Sequence, residues 1–301
     1  MKWSFSKNVL IVLLVLLNIL MFAVRYTKKN SAYTLNSENE QNIRNILYEN
    51  DFLLYTLLPN EFYPLRTLEG SYESIDGDDI ARFYFSDKNY EKKTEGTKDI
   101  YFKDDNTYVE VYRNGKIVYY EGINANSPEL SDGEIDKDEA YEMLTTFYRK
   151  IYKGDRTYKA EGYDKEAGVY KYYYYNQYKD TYVFNDYVQI QIFMDHIEAE
   201  SWKVNVKPTA DKTNDLIPVD EALFNFVKNV KIETEESIYI TDIALGYYAI
   251  NDLLVTDEKV IEYPYYKISI KHNGDFYVNA FTNEIYNSKL ELIENTDVTN
   301  E

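Results

Sequence analysis

With 301 residues, 45% of them hydrophobic and 28% charged, and only six prolines, the chain has enough material for a sizeable buried core and not the composition of a disordered tail. The formal net charge is −19, and Lys2, Lys7, Arg25, Lys28 and Lys29 all precede residue 30, so residues 30–301 carry −24. A field of that sign repels phosphate backbones and argues against nucleic acid as a partner. Cysteine is absent, which excludes thiol catalysis, thiolate metal sites and disulfides together.

Tyrosine is the outlier at 34 residues. Its ring buries well while its hydroxyl stays wet, and it favours strands, so this loading predicts a sheet-rich body.

Val9–Val24 form an uncharged run of sixteen, extended by Trp3 and Phe5 on one side and Tyr26 on the other, with Lys or Arg at both ends able to snorkel. A cleaved signal peptide needs small residues after the run. Phe22-Ala23-Val24-Arg25 fits that poorly, so the reading is an uncleaved transmembrane anchor. Flanking charges tie for orientation; the short basic leader before a large hydrophilic body is the layout of a signal-anchor with an exported body. Helical spacing sets Ile11, Leu14, Asn18 and Phe22 near one face, where the carboxamide is either a helix–helix contact or a tolerated polar group.

Ser37-x-x-Glu40 with Ile43, Ile46 and Leu47 predicts a capped helix near 37–50. Phe52–Leu58, an apolar run stopped by Pro59, reads as a strand covered on both faces. Asp79–Phe85 has no assignment. Asp99–Phe102, Thr107–Arg113 and Lys116–Glu121 read as strands, with Asn114-Gly115 in a type I′ turn. Residues 124–136 read as a linker, and Ala140, Met143, Leu144, Phe147, Tyr148 and Ile151 mark a helix ending at Lys153-Gly154.

Strands follow near 157–162, 168–178, 181–184, 187–194 and 197–206 as an antiparallel meander closed by Pro208. Pro218 then opens a helix with Ala222, Leu223, Phe226, Val227 and Val230 on its apolar face, before strands near 237–250, 260–271 and 275–281. Asp138-Glu139-Ala140 and Asp220-Glu221-Ala222 lie 82 apart, and the runs starting at Tyr187 and Tyr266 lie 79 apart. The agreement hints at a duplicated helix-plus-sheet unit, which two unrelated α+β units could also produce.

The expected fold is α+β: an anchor and tip over 1–29, an N-terminal unit over 30–125, helix-plus-antiparallel-sheet units over 131–208 and 212–290, and a tail over 291–301. His196 and His272 are isolated and read as structural or exposed. The acidic stretches Asp76–Asp79 and Asp132–Glu139 lack the EF-hand pattern, and the second sits where a helix dipole welcomes carboxylates. No nucleotide-binding glycine motif and no G-x-S-x-G occurs, and 52 acids single out no glycosidase pair. No catalytic, cofactor-binding or metal-ligating residue is nominated.

Several ordered segments resemble the YycI family. They are the opening Met1-Lys-Trp-Ser-Phe-Ser-Lys-Asn-Val-Leu, Leu16-Leu17-Asn18-Ile19-Leu20, Tyr63-Pro64-Leu65, Ile243-Ala-Leu-Gly246-Tyr247, Tyr263-Pro264-Tyr265-Tyr266, and Val278-Asn279-Ala280-Phe281-Thr282. The family often has a Trp after the late proline and a Gly before the final Glu-Ile; this chain has Tyr265-Tyr266 and Asn283, and Asn also tolerates positive φ. The last segment is also similar to the PepSY-type adaptor or inhibitor fold.

The resemblance implies a cytoplasmic N-terminus, one membrane helix and an extracytoplasmic body. It further implies partnership with a YycH-like protein and a WalK-type sensor histidine kinase. It makes Asn18 a helix-packing residue, and Pro64, Leu245, Gly246, Tyr247, Pro264, Asn279 and Ala280 determinants of the fold. A PepSY-like binding module for an exported enzyme and a wall-polymer hydrolase are the alternatives.

Overall fold

The computed structural model describes residues 13–21, 33–72, 75–85, 89–122, 159–164, 169–193, 195–232, 234, 237–250 and 259–293, with backbone alone for 159–164 and 169–174. Residues 13–21 are helical. Helix α1 (Ser37–Glu49) follows, capped by Asn36, whose side chain accepts from the Asn39 N–H at 2.7 Å. The expected Ser37 box is thus displaced by one residue.

Then come β1 (Phe52–Leu54), β2 (Leu68–Tyr72) and α2 (Gly77–Phe85), the segment without a sequence assignment. Strands β3 (Glu91–Glu95), β4 (Lys98–Asp104), β5 (Thr107–Tyr112) and β6 (Ile117–Gly122) lead to β7 (Lys159–Asp164), β8 (Val169–Tyr178), β9 (Thr181–Ile192), β10 (His196–Trp202) and β11 (Val204–Pro208). Helix α3 (Val219–Asn229) begins directly after Pro218, and β12 (Ile238–Tyr248), β13 (Lys259–Ile270), β14 (Gly274–Asn279), β15 (Ile285–Tyr286) and β16 (Leu292–Ile293) complete the body. The architecture is α+β with a mostly sheet body. The linker and helix expected over 124–154 lie outside the described residues.

The chain forms two compact units, each assembled from separated stretches. The first comprises Met1–Arg66, Lys212–Leu245 and Pro264–Glu301. Its sheet runs β1-β12-β13-β14-β15-β16. The pairing is antiparallel from β13 to β16, while β1 lies parallel to β12 through Phe52↔Ile238 and Leu54↔Ile240. Helices α1 and α3 supply Ile43, Leu47, Ala222, Leu223 and Phe226 to one core with Ile240, Ile268 and Val278. The Phe226 ring meets Phe52 and Phe276 edge-on, with centroids 5.9 and 5.4 Å apart.

The strand expected over 52–58 stops at Leu54. Tyr55 and Leu57 are exposed while Leu58 returns to the core, so this apolar run is only partly interior.

The second unit comprises Thr67–Asp211 and Gly246–Tyr263. Antiparallel neighbours run β3-β4-β5-β6-β10-β9-β8-β7, and a small second sheet sets β2 between β11 and the start of β13. Alternation along β5 buries Thr107, Val109 and Val111, and that face packs with Tyr101, Ile117, and Ala81 and Phe85 of α2.

Three strand expectations are corrected here. The β5–β6 connection is not type I′, because only Gly115 has positive φ (80°); its N–H donates to the Tyr112 carbonyl at 3.0 Å, giving a type I turn closed by a glycine bulge. The expected strands at 181–184 and 187–194 are one strand, β9, whose register against β8 shifts at Tyr175/Asn176. The single strand expected over 197–206 is two: β10 pairs with β9 and β6, whereas β11 turns away after Lys203 to pair with β2.

Candidate interaction site

Within the apolar N-terminal segment, residues 13–21 carry exposed side chains, Leu14, Leu17 and Leu20 among them. Asn18 donates from Nδ2 to the Leu14 carbonyl of its own helix at 3.0 Å, so its amide is bonded locally and Oδ1 stays available to a neighbour. Of the four residues expected on one face, Leu14 and Asn18 are described; Ile11 and Phe22 are not. Among the described residues no helix is long and apolar enough to cross a membrane.

The short segment after the apolar run is tied into the first unit. Thr34 and Glu61 form an antiparallel bridge, the Leu35 N–H donates to Asn60 O at 2.8 Å, and the Phe62 N–H donates to Tyr33 O at 3.0 Å. Tyr33 and Leu35 pack against the α1–α3 core, and the Tyr33 and Tyr63 rings lie 5.9 Å apart.

Two sets of motif residues converge. Pro264, Asn279 and Ala280 form a knot in the first unit: the Ala280 N–H donates to Pro264 O at 2.9 Å, and Ala280 O accepts the Ile217 N–H at 2.8 Å. Asn279 Oδ1 accepts from the Phe281 and Thr282 N–H groups at 2.8 and 3.1 Å. Asn283 stands at φ +64°, and its carbonyl accepts Asn225 Nδ2 of α3 at 2.8 Å. Buried Tyr266 closes the knot by donating to Ile217 O at 2.8 Å. Nearby in sequence to the bridge, Pro64 is half-buried.

In the second unit, Gly246 and Tyr247 pair in parallel with Tyr182 and Val183, and a Cβ on Gly246 would lie 2.5 Å from the Phe184 ring. Tyr247 is 2% exposed, and its burial, with Tyr178 beside it, pushes the phenol up to about 12. Leu245, in the first unit, packs against that unit's core.

Both histidines and the first acidic stretch lie among the described residues. His196 stacks between Tyr120 and Phe193, at 4.9 and 4.2 Å, with Nδ1 2.7 Å from Asp195 Oδ1. His272 occupies the turn after β13 at φ +65°. In the Asp76–Asp79 stretch, Asp76 Oδ1 accepts the Asp78 N–H at 2.9 Å and Asp79 pairs with Arg82, so these acids start α2. The Asp132–Glu139 stretch lies outside the described residues. No group of three or more potential ligands among the described residues could hold a metal.

Sequence reasoning missed a lattice that crosses the second unit's sheet. Lys98 pairs with Glu110, whose Oε2 accepts Tyr112 Oη at 2.7 Å; Lys116 lies 5.7 Å from the Tyr112 ring centroid and 2.9 Å from Glu200 Oε1, which also accepts Tyr187 Oη. Pairing with Glu110 raises the Lys98 ammonium, and burial followed by Glu200 holds the Tyr187 phenol well above its ordinary range. Glu110 and Glu200 stand two strand spacings apart, roughly 10 Å, with Lys116 between them. That is cross-strand bracing. Alternation would have flagged these positions as the outer face, but not which charge meets which.

Against this geometry, the family model described as "YycI protein" matches residues 30–281. The chain belongs to the YycI family. The matched span takes in stretches of both units; of the motif positions, Pro264, Asn279 and Ala280 share one buried knot and Gly246 and Tyr247 the other, while Leu245 packs on the first unit's core and Pro64 is half-buried. A search among curated proteins finds no match. Among solved structures, an uncharacterized protein from Eubacterium rectale is similar at 11% identity over 77% of this chain and 88% of that one, with a TM-score of 0.43.

Proposed function

We propose that this YycI-family chain is a membrane-anchored regulatory protein that modulates a WalK-type sensor histidine kinase together with a YycH-like partner, through contacts of its anchor and body. Family membership over residues 30–281 is the observation that carries the reading. The outward apolar side chains of 13–21 support the anchor, because such a face is stable only in lipid or against another apolar surface. In this reading the N-terminus is cytoplasmic and the body extracytoplasmic. Regulation then requires that the protein bind two kinase states with different affinity.

The test is affinity purification of the full-length protein from detergent-solubilised membranes. Recovery of a histidine kinase and a YycH-like protein is expected; recovery of an exported enzyme and no kinase would move the reading to a PepSY-like binding module. Orientation is checked with Ser127→Cys, the sole thiol in such a variant, which a membrane-impermeant maleimide should label in intact cells. Asn18→Leu is expected to leave the protein in the membrane and to weaken partner recovery by about 0.6–2 kcal/mol, the range for interhelical hydrogen bonds in lipid.

A further inference from the structure

The stretch Tyr55–Tyr63, which follows β1 and includes the Thr34–Glu61 bridge, carries large apolar side chains that remain largely exposed. Leu57 is 83% exposed, Tyr55 69% and Tyr63 41%. Tyr55 is anchored at its base: its N–H donates to Ile240 O at 2.9 Å and its ring lies 5.4 Å from Tyr239. On the far side of Leu57, Leu58 and Phe62 are buried in the core. The loop is therefore pinned at both ends and holds a leucine between two tyrosines out into the surroundings.

The bridge decides where this loop sits along the chain's path. Residues 60–62 are hydrogen-bonded to residues 33–35. In the anchor reading, Arg25, Lys28 and Lys29 meet the lipid headgroups, and even a fully extended chain from Lys29 to Tyr33 spans at most ~14 Å. A leucine tip flanked by phenols is the composition that settles at a bilayer interface, with the apolar part among acyl chains and the hydroxyls at headgroup level.

We infer that the Tyr55–Tyr63 loop is a second membrane contact, dipping Leu57 into the interface of the bilayer that holds the anchor. The inference rests on the anchor reading. Its driving force is apolar, because the neighbouring Glu49, Asp51 and Glu61 are exposed acids that repel anionic headgroups.

The experiment uses the full-length protein in phosphatidylcholine vesicles, with single cysteines introduced into a chain that has none. An environment-sensitive fluorophore is placed on Asn60→Cys, on Ser288→Cys at the opposite sheet edge, or on Leu16→Cys. Lipids with nitroxides near the headgroup or mid-chain act as quenchers. The expected result is at least twofold stronger headgroup quenching at position 60 than at 288, reduced to the level of 288 by Tyr55→Ser with Leu57→Ser, and weakened when phosphatidylglycerol is added. Equal quenching at 60 and 288, or quenching unchanged in the double serine variant, would overturn the loop contact. So would shielding of position 60 only when another membrane protein is present, which would give the loop a protein partner. Mid-chain quenching at Leu16→Cys reports the anchor separately: its loss with retained quenching at 60 sinks the anchor reading alone, and the reverse sinks the loop contact alone.

Discussion

Asn283 and Gly246 show how single residues hold the two knots. Asn283 occupies left-handed backbone at φ +64°, and its Oδ1 is buried without a hydrogen-bond partner among the described residues. Asn283→Gly is therefore expected to be neutral or slightly stabilising, and Asn283→Val to cost at least ~1 kcal/mol, measured by urea unfolding. Gly246 answers to packing instead. Gly246→Ala is expected to cost about 1–3 kcal/mol, because the new methyl must displace the Phe184 ring. In a Phe184→Leu background the penalty should shrink; strict additivity of the two changes would show that the ring is not the obstacle. The family's motif positions were legible as short strings, but their reason was not, since Phe184 lies 62 residues from Gly246.

At the scale of elements, α1 and α3 were legible because their apolar spacing and start signals agree, and Ile43, Leu47, Ala222, Leu223 and Phe226 are indeed interior. Phe226→Ala should open a cavity between Phe52 and Phe276 and cost about 3–5 kcal/mol; a loss below 1 kcal/mol in urea unfolding would mean that the α3 core collapses freely. Helix α2 escaped sequence reading because its nine residues give only about two and a half turns of periodicity. Its identity rests on Asp76 capping the first turn and on Ala81 and Phe85 finding Tyr101. The apolar run at 52–58 misled for the opposite reason. Continuity promised burial on both faces, while the chain leaves the sheet after Leu54 and turns Leu57 outward.

For the whole molecule, the tyrosine content becomes a pH liability. Burial raises the phenols of Tyr101, Tyr119, Tyr187, Tyr247 and Tyr266 above their unfolded value near 10. Between that value and the folded one, the unfolded chain holds fewer protons than the native state, so stability is intact below about pH 10 and falls as pH rises. For Tyr247, with its phenol near 12, the loss should accumulate between about pH 10 and 12 and level off above it. Tyr247→Phe is expected to shift the alkaline unfolding midpoint upward, followed by circular dichroism; an unchanged midpoint would assign the alkaline loss to the other buried phenols.

The sequence by itself determined the α+β class, the acidic sheet-rich body, the uncharged apolar run near the N-terminus and the family, because composition, periodicity and short motifs are local properties. Only the tertiary structure decided which stretches share a core, that Tyr33–Leu35 pair with Asn60–Phe62, and that Pro264 meets Ala280 through a backbone hydrogen bond. Those facts depend on contacts between residues tens to hundreds of positions apart. Burial and hydrogen-bond satisfaction select such contacts for the folded chain as a whole, and no window of sequence contains them.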